Sequence, residues 1–237
     1  MYKQWKKEKD SEKIHSTRKY WVHPILTRRE THGEFHVLFA ELRNYDDEFY
    51  KYLRMTKRTF DKLLGVLNKK LEHQDTIMRD SISSAERLVI TLRYLATGHT
   101  FTDLRFGFRI GKSTLSFIVR EVCQNIWKKM SETYMKVPTE NEWYDITRNF
   151  GLKANFPHCL GAVDGKHIRV IKPNRNGSMF LNYKHFFSIV LMAIVDTNYN
   201  FIFIDVGAYG KECDSNVFKE TTFWKSLVNK SLNLPPP

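Results

Sequence analysis

Through the first half of the chain, apolar residues recur every three to four positions, the period of a helix with one buried face. Phe35, Leu38, Phe39 and Leu42 form one such series, and Phe60, Leu63, Leu64, Leu67 and Leu71 form another. Ser83-Ser84-Ala85-Glu86 offers a hydroxyl N-cap and an acidic first turn, predicting a helix through Leu88, Leu92 and Leu95. Gly98 closes that helix, where a left-handed backbone is cheap only for glycine. A short segment, Phe101–Arg109, leads into a turn at Gly111 and a further helix from Ser113 to about Met130. Leu115, Ile118, Val119, Val122 and Ile126 mark its buried face. Helix, short helix, glycine-containing turn and helix is the layout of a helix-turn-helix unit. Arg109, Lys112, Ser113, Thr114 and Ser116 cluster about the start of the last helix, where a recognition helix meets DNA. An ordinary helical bundle is the alternative reading of the same pattern.

After Pro138 the period changes. Trp143–Phe150 predicts one more short helix, and from Cys159 onward the pattern is that of strands. Leu160–Ile171 is rich in Val and Ile, Ser188–Val195 is a continuous apolar run, and Asn200–Val206 follows the turn residues Asp196-Thr197-Asn198-Tyr199. The continuous run suggests a strand covered on both faces. The three segments predict an antiparallel meander, followed by a helix from Asp214 through Val217, Phe218 and Phe223. The expected fold class is α+β: an N-terminal helical domain with a helix-turn-helix-like unit, then a ribonuclease-H-like α/β domain truncated at its C-terminus. The expected organisation is a basic arm at 1–29, a helical domain at 30–137, a linker helix at 138–157 and the partial nuclease domain at 158–237. Three strands and one helix leave a sheet edge and a helix face uncovered, hence the expectation of truncation.

Charge narrows the choice of partner. The chain of 237 residues carries a formal +12, and residues 1–29 hold nine Lys and Arg against three Asp and Glu. That balance favours a polyanion, nucleic acid above all, and the first stretch reads as a solvated tail or as a DNA-contacting or nuclear-import arm. Cys123, Cys159 and Cys213 are widely spaced, which argues against a disulfide framework or a zinc site and suits a reducing compartment. The longest apolar run, Phe186–Val195, is half of the roughly 20 residues that a membrane span needs, so no membrane partner is expected. Gly111-Lys112-Ser113-Thr114 imitates the end of a phosphate-binding loop, but position 106 is Phe where that motif requires Gly.

Asp164 is the sharpest chemical signal. It lies among apolar strand residues in Gly161-Ala162-Val163-Asp164-Gly165-Lys166-His167, where a carboxylate needs a metal or a cationic partner such as Lys166 or His167. In a meander, strands one and three run parallel, so Asp214, just past strand three, can swing back towards Asp164. Its plain alternative is a helix N-cap. Asp205 lies about two strand spacings, roughly 10 Å, from strand one and is too distant to share an ion with Asp164. Asp196 is a turn residue. Lys184 and His185 suit phosphate contacts or simple solvation.

These segments together resemble the PIF/Harbinger transposase-derived nucleases, a family with a DDE-type endonuclease domain. The resemblance is carried by Arg-Lys-Tyr-Trp-Val-His-Pro (18–24), Arg-Met-Thr-Lys-Arg-Thr-Phe (54–60), Leu-Arg-Tyr-Leu-Ala-Thr-Gly (92–98) and, most strongly, Gly-Ala-Val-Asp-Gly-Lys-His-Ile (161–168). Asn-Tyr-Lys (182–184), Ser-Ile-Val-Leu-Met-Ala-Ile-Val-Asp (188–196) and Asp-Val-Gly-Ala-Tyr-Gly (205–210) continue it. The resemblance implies a ribonuclease-H-like core whose carboxylates hold divalent Mg²⁺ or Mn²⁺ for phosphodiester hydrolysis. It makes Asp164 the first-strand ligand and Asp214 a second acidic position, with a further Asp and a Glu expected beyond Pro237. The expectation is therefore a DNA endonuclease by lineage that does not cleave as this chain alone. The alternative is a domesticated, non-catalytic DNA-binding or scaffold protein. DNA is the implied substrate, a separate Myb-like DNA-binding protein the implied partner, and the nucleus the expected compartment, with the cytoplasm second.

Overall fold

The computed structural model describes residues 19–77, 80–174 and 176–235; residues 1–18 of the basic arm lie outside them. Two compact units divide between Lys129 and Met130.

The first unit is helical: α1 (Pro24–Thr27), α2 (Arg29–His32), a π-helical turn (Phe35–Phe39), α3 (Ala40–Leu42), α4 (Asp46–Leu53), α5 (Lys57–Leu71), α6 (Ser84–Thr97), α7 (Phe101–Phe108) and α8, which starts at Lys112 and runs to Tyr134. Side chains set the helix starts. The hydroxyls of Thr56 and Ser83 accept from the amides of Thr59 and Glu86, each at 3.2 Å, and Thr100 with Asp103 forms a reciprocal capping box. Gly98 ends α6 at φ 68°, the left-handed conformation expected of it.

The apolar series converge as expected: Phe49, Phe60, Leu67, Leu71, Leu88, Ile90, Phe108, Leu115 and Ile118 are fully buried. The first series departs from a regular helix. Residues 35–39 widen into a π-helical turn in which the Phe35 and Phe39 rings stack at 5.0 Å. Phe39 then reaches Phe49 and Phe60 at 5.9 and 5.5 Å, so aromatic packing sets the local geometry. Across the unit, Arg87 of α6 pairs with Glu121 of α8 at 2.7 Å, and His73 meets the other oxygen of Glu121 at 3.0 Å. Glu86 is 1% exposed; Arg29 and His36 approach its Oε2 at 3.4 and 3.6 Å, while Oε1 has no hydrogen-bond partner. Burial pushes its carboxyl up to about 7.

The second unit contains α9 (Glu140–Ala154), β1 (Ala162–Arg169), β2 (Ser188–Val195), β3 (Phe201–Tyr209), α10 (Asp214–Glu220) and α11 (Thr222–Val228). The sheet is the expected antiparallel meander in the order β1-β2-β3. Ser188, Val190, Met192 and Ile194 are buried, whereas the alternate residues Ile189, Leu191, Ala193 and Val195 are only half-buried. The apolar run thus has one well-covered face among the described residues, where two were expected. Val217 of α10 packs on Val190 and Met192. Trp143 of α9 packs with Ile194 and Ile202, and its Nε1 donates to the Leu232 carbonyl at 2.9 Å. The segment expected as a linker helix is therefore part of a core. The last predicted helix is broken in two at Thr221, whose hydroxyl donates to the Phe218 carbonyl and accepts from the Trp224 amide, capping α11.

Candidate metal centre and nucleic-acid surface

Strand register determines which side chains share a face. Asp164 pairs with Ala193 and Gly165 with Met192, while Met192 also pairs with Asp205. Paired residues lie on one face and neighbours alternate. Asp164 therefore belongs to the more open face with Ala193, and Gly165 to the face that α10 covers.

Asp214, the first residue of α10, lays its carboxyl group against the Gly165 backbone. A Cβ at position 165 would lie 2.5 Å from the Asp214 Cγ and 2.9 Å from Oδ2. Glycine is required there because the carboxylate fills the space of a side chain. Asp214 thus returns to strand β1 as the topology suggested, but it arrives at the residue after Asp164 and on the opposite face. Adjacent Cα atoms are about 3.8 Å apart, so the two acidic groups serve neighbouring positions of one strand. Neither carboxylate has a hydrogen-bond or ion-pair partner among the described residues. Asp205 lies in register with Gly165 across β2 and is exposed, the separation expected. Asp196 is a turn residue that accepts from the amides of Asn198 and Asn200. Cys213, just before Asp214, has its thiol drawn below its usual range, chiefly by the Ser215 hydroxyl.

These carboxylates are hard oxygen donors, the chemistry that Mg²⁺ or Mn²⁺ prefers. Both are unpaired and one is seated in a cradle that a Cβ would occupy, so each suits a divalent ion as a donor, but they lie on opposite faces of β1 and are not brought to one shared position. The fit is partial: among the described residues no group of three or more His, Cys, Asp or Glu is arranged to hold a metal.

Beside this site is a second arrangement whose contacts the sequence patterns did not show, although His167 and Lys184 were singled out for other roles. His167, two residues beyond Gly165 on the same face, shares a hydrogen bond between Nδ1 and the Ser188 hydroxyl at 3.0 Å. Asn182 Nδ2 donates to the same hydroxyl at 3.0 Å, and its Oδ1 accepts from the amides of Lys184 and Phe186 at 2.9 and 3.2 Å. Asn182 and Ser188 are both buried. Gly210 closes against them, its amide donating to the Ser188 carbonyl at 3.1 Å. The available signal was an Asn followed by exposed residues between apolar runs, the chemistry of an Asx turn.

In the helical unit, Lys112 and Ser113 are exposed at the start of α8, with Thr114 half-buried. Arg109 differs. It sits at φ 56° after α7, and its guanidinium donates to the carbonyls of His32 and Ile25 at 3.2 and 3.3 Å. Those bonds fasten the turn before α8 to the start of the unit.

Comparison with known proteins places this geometry in context. Residues 163–235 match the family described as DDE superfamily endonuclease, a span that includes Asp164 and Asp214. A protein ALP1-like from Arabidopsis thaliana is 24% identical over 192 residues, covering 78% of this chain and 46% of that protein. The Arabidopsis thaliana protein named antagonist of like heterochromatin protein 1 is 22% identical over 193 residues, covering 79% of this chain and 48% of its own length. The chain spans about half the length of the curated relatives it matches. No solved structure matches it.

Proposed function

We propose that this chain is directed to DNA by its helical unit and contributes Asp164 and Asp214 to the metal centre of a transposase-derived DDE endonuclease of Harbinger type. The observation that carries this reading is the seating of the Asp214 carboxylate on Gly165, next to Asp164, inside the segment that matches the endonuclease family. In this reading residues 158–237 belong to a ribonuclease-H-like domain. Asp164 and Asp214 would each offer a hard oxygen donor to Mg²⁺ or Mn²⁺, which when bound would supply Lewis-acid activation for phosphodiester hydrolysis. The protein's own contribution is to present two unpaired carboxylates from a rigid strand and from the start of a helix packed on it. Lys112, Ser113 and Thr114 are the proposed DNA contacts of a helix-turn-helix, with Arg109 holding its turn, and Lys184 is a phosphate contact near the metal centre. The nucleus is the proposed compartment, supported by the heterochromatin-related name of one relative. A Myb-like DNA-binding protein is the proposed partner, testable by co-purification.

A second reading, a non-catalytic DNA-binding or scaffold protein, is favoured by the incomplete metal ligand set among the described residues. Mn²⁺-dependent nicking of supercoiled DNA separates the two when wild type and Asp164→Ala are compared. Nicking that disappears in the variant supports the nuclease. Salt-sensitive DNA binding without nicking in either protein supports the scaffold. In both cases, isothermal titration with Mn²⁺ should give weaker binding for Asp164→Ala and Asp214→Ala than for wild type; unchanged binding would remove these two residues from the site.

A further inference from the structure

We propose that the 182–185 turn is a docking point for an unpaired nucleotide of DNA, with the Tyr183 ring stacking on the base and Lys184 and Arg169 facing its phosphates. The proposal rests on the DNA-directed reading above and names a feature of the substrate that reading leaves open.

Three observations meet at this turn. The first is exposure: Tyr183 is 74% exposed, although the turn beneath it is built on the buried, multiply bonded Asn182. A rigid base under an exposed aromatic ring is what a stacking platform needs, because little conformational entropy remains to be lost on binding. The second is the way aromatic rings and cations alternate. The Lys184 ammonium lies 5.3 Å from the Tyr183 ring centroid and the Arg169 guanidinium 4.5 Å from that of Phe186. The His167 ring joins them, edge-on to Tyr183 at 5.7 Å and to Phe186 at 6.4 Å. The third is charge: among the described residues from Gly165 to Val195 there are four Lys and Arg, Lys166, Arg169, Lys172 and Lys184, and no Asp or Glu, with Asp214 the acidic neighbour at Gly165. A protein partner of ordinary mixed charge gains little from such a surface. A polyanion with flat, stackable groups matches both of its components. Duplex DNA keeps its base faces inside the stack, so an exposed ring selects a nucleotide that is unpaired.

Gly165 and His167 lie on one face of β1, two residues apart, so the platform adjoins the position where the Asp214 carboxylate is seated. A nucleotide held there would set the register of the neighbouring phosphodiester against the Asp214 carboxylate.

The test uses the full chain and two DNA probes of equal duplex length, one blunt and one carrying an unpaired extension with 2-aminopurine at its first position. Fluorescence anisotropy is expected to show tighter binding of the extended probe, and the 2-aminopurine emission is expected to change on binding. Tyr183→Ala should weaken the extended probe roughly five- to a hundredfold, from the usual worth of base–aromatic stacking, and abolish the emission change. Tyr183→Phe should retain both effects, and circular dichroism should confirm that the variants fold, as the exposure of this side chain predicts. Lys184→Ala should lower the salt dependence by about one phosphate contact. Equal binding of the two probes by wild type, or a Tyr183→Ala variant that keeps the preference, overturns the proposal and leaves DNA binding itself standing. Absence of binding to either probe at low salt would instead overturn the DNA-directed reading on which it rests.

Discussion

Gly165 and Asp214 form a lock whose parts can be exchanged. Alanine inside a strand ordinarily stabilises relative to glycine, but at position 165 the new methyl group would enter the Asp214 carboxylate. Gly165→Ala should therefore destabilise the chain by about 1–3 kcal/mol, the usual range for overpacking. In an Asp214→Ala background the same change should become neutral or stabilising, a coupling that urea denaturation of the four proteins would measure. Additive effects would show that the two residues do not touch. Glu86 offers a different test. Its carboxyl is raised from 4.5 to about 7 by burial, opposed by Arg29 and Arg87 and reinforced by Glu30. The folded state then binds more protons than the unfolded state between those values, so this group's contribution to stability falls as pH rises from 4.5 to 7. His36, facing the same carboxylate, has its pKa lowered by burial and by Arg29, so its own contribution is lost as pH falls below 6.5. Glu86→Gln removes the first effect and keeps the second. Relative to wild type it should gain on the order of 2–3 kcal/mol between pH 5 and pH 8, with melting temperature as the readout.

At the level of elements, the signals that proved readable were short-range. Ser83 and Gly98 bound α6 because a hydroxyl and a left-handed glycine are local solutions to unpaired helix ends, and both can be seen in the sequence. Thr100 caps α7 with Asp103 in the same local way, and Thr100→Ala should cost about 1 kcal/mol in denaturation experiments. What escaped reading depends on tertiary contacts. The π-helical turn at 35–39 follows from where Phe49 and Phe60 stand, and the break at Thr221 depends on a hydroxyl that serves two backbone groups at once. Alternation within β2 was invisible because both its faces carry apolar residues. Asp164 was legible as an aspartate among strand residues, but the face it occupies follows from register. Arg109 was legible as a cation near a turn, whereas its bonds to two carbonyls, more than 70 residues earlier in the chain, were not. Arg109→Ala should accelerate hydrogen exchange across residues 24–32. Lys112→Ala should leave that exchange unchanged and weaken DNA binding, and the opposite pattern would exchange the roles assigned to them.

For the molecule as a whole, a formal charge of +12 sets the largest expected effect on binding. Log affinity for DNA should fall linearly with log salt, at a slope of about 0.9 per phosphate neutralised, and a flat response would exclude phosphate contacts as the source of affinity. The second unit adds a constraint of another kind. The indole of Trp143 is buried against the sheet and bonded to the carbonyl of Leu232, 89 positions further along the chain, with Leu234 packed on the same cluster. During synthesis the α9 segment emerges long before the residues that complete its surroundings. Until Leu232 has left the ribosome, Trp143 has no carbonyl for its N–H and an incomplete apolar wall, so this unit closes late and nearly all at once. The emission of Trp143, with the other four tryptophans replaced by Phe, would time the event.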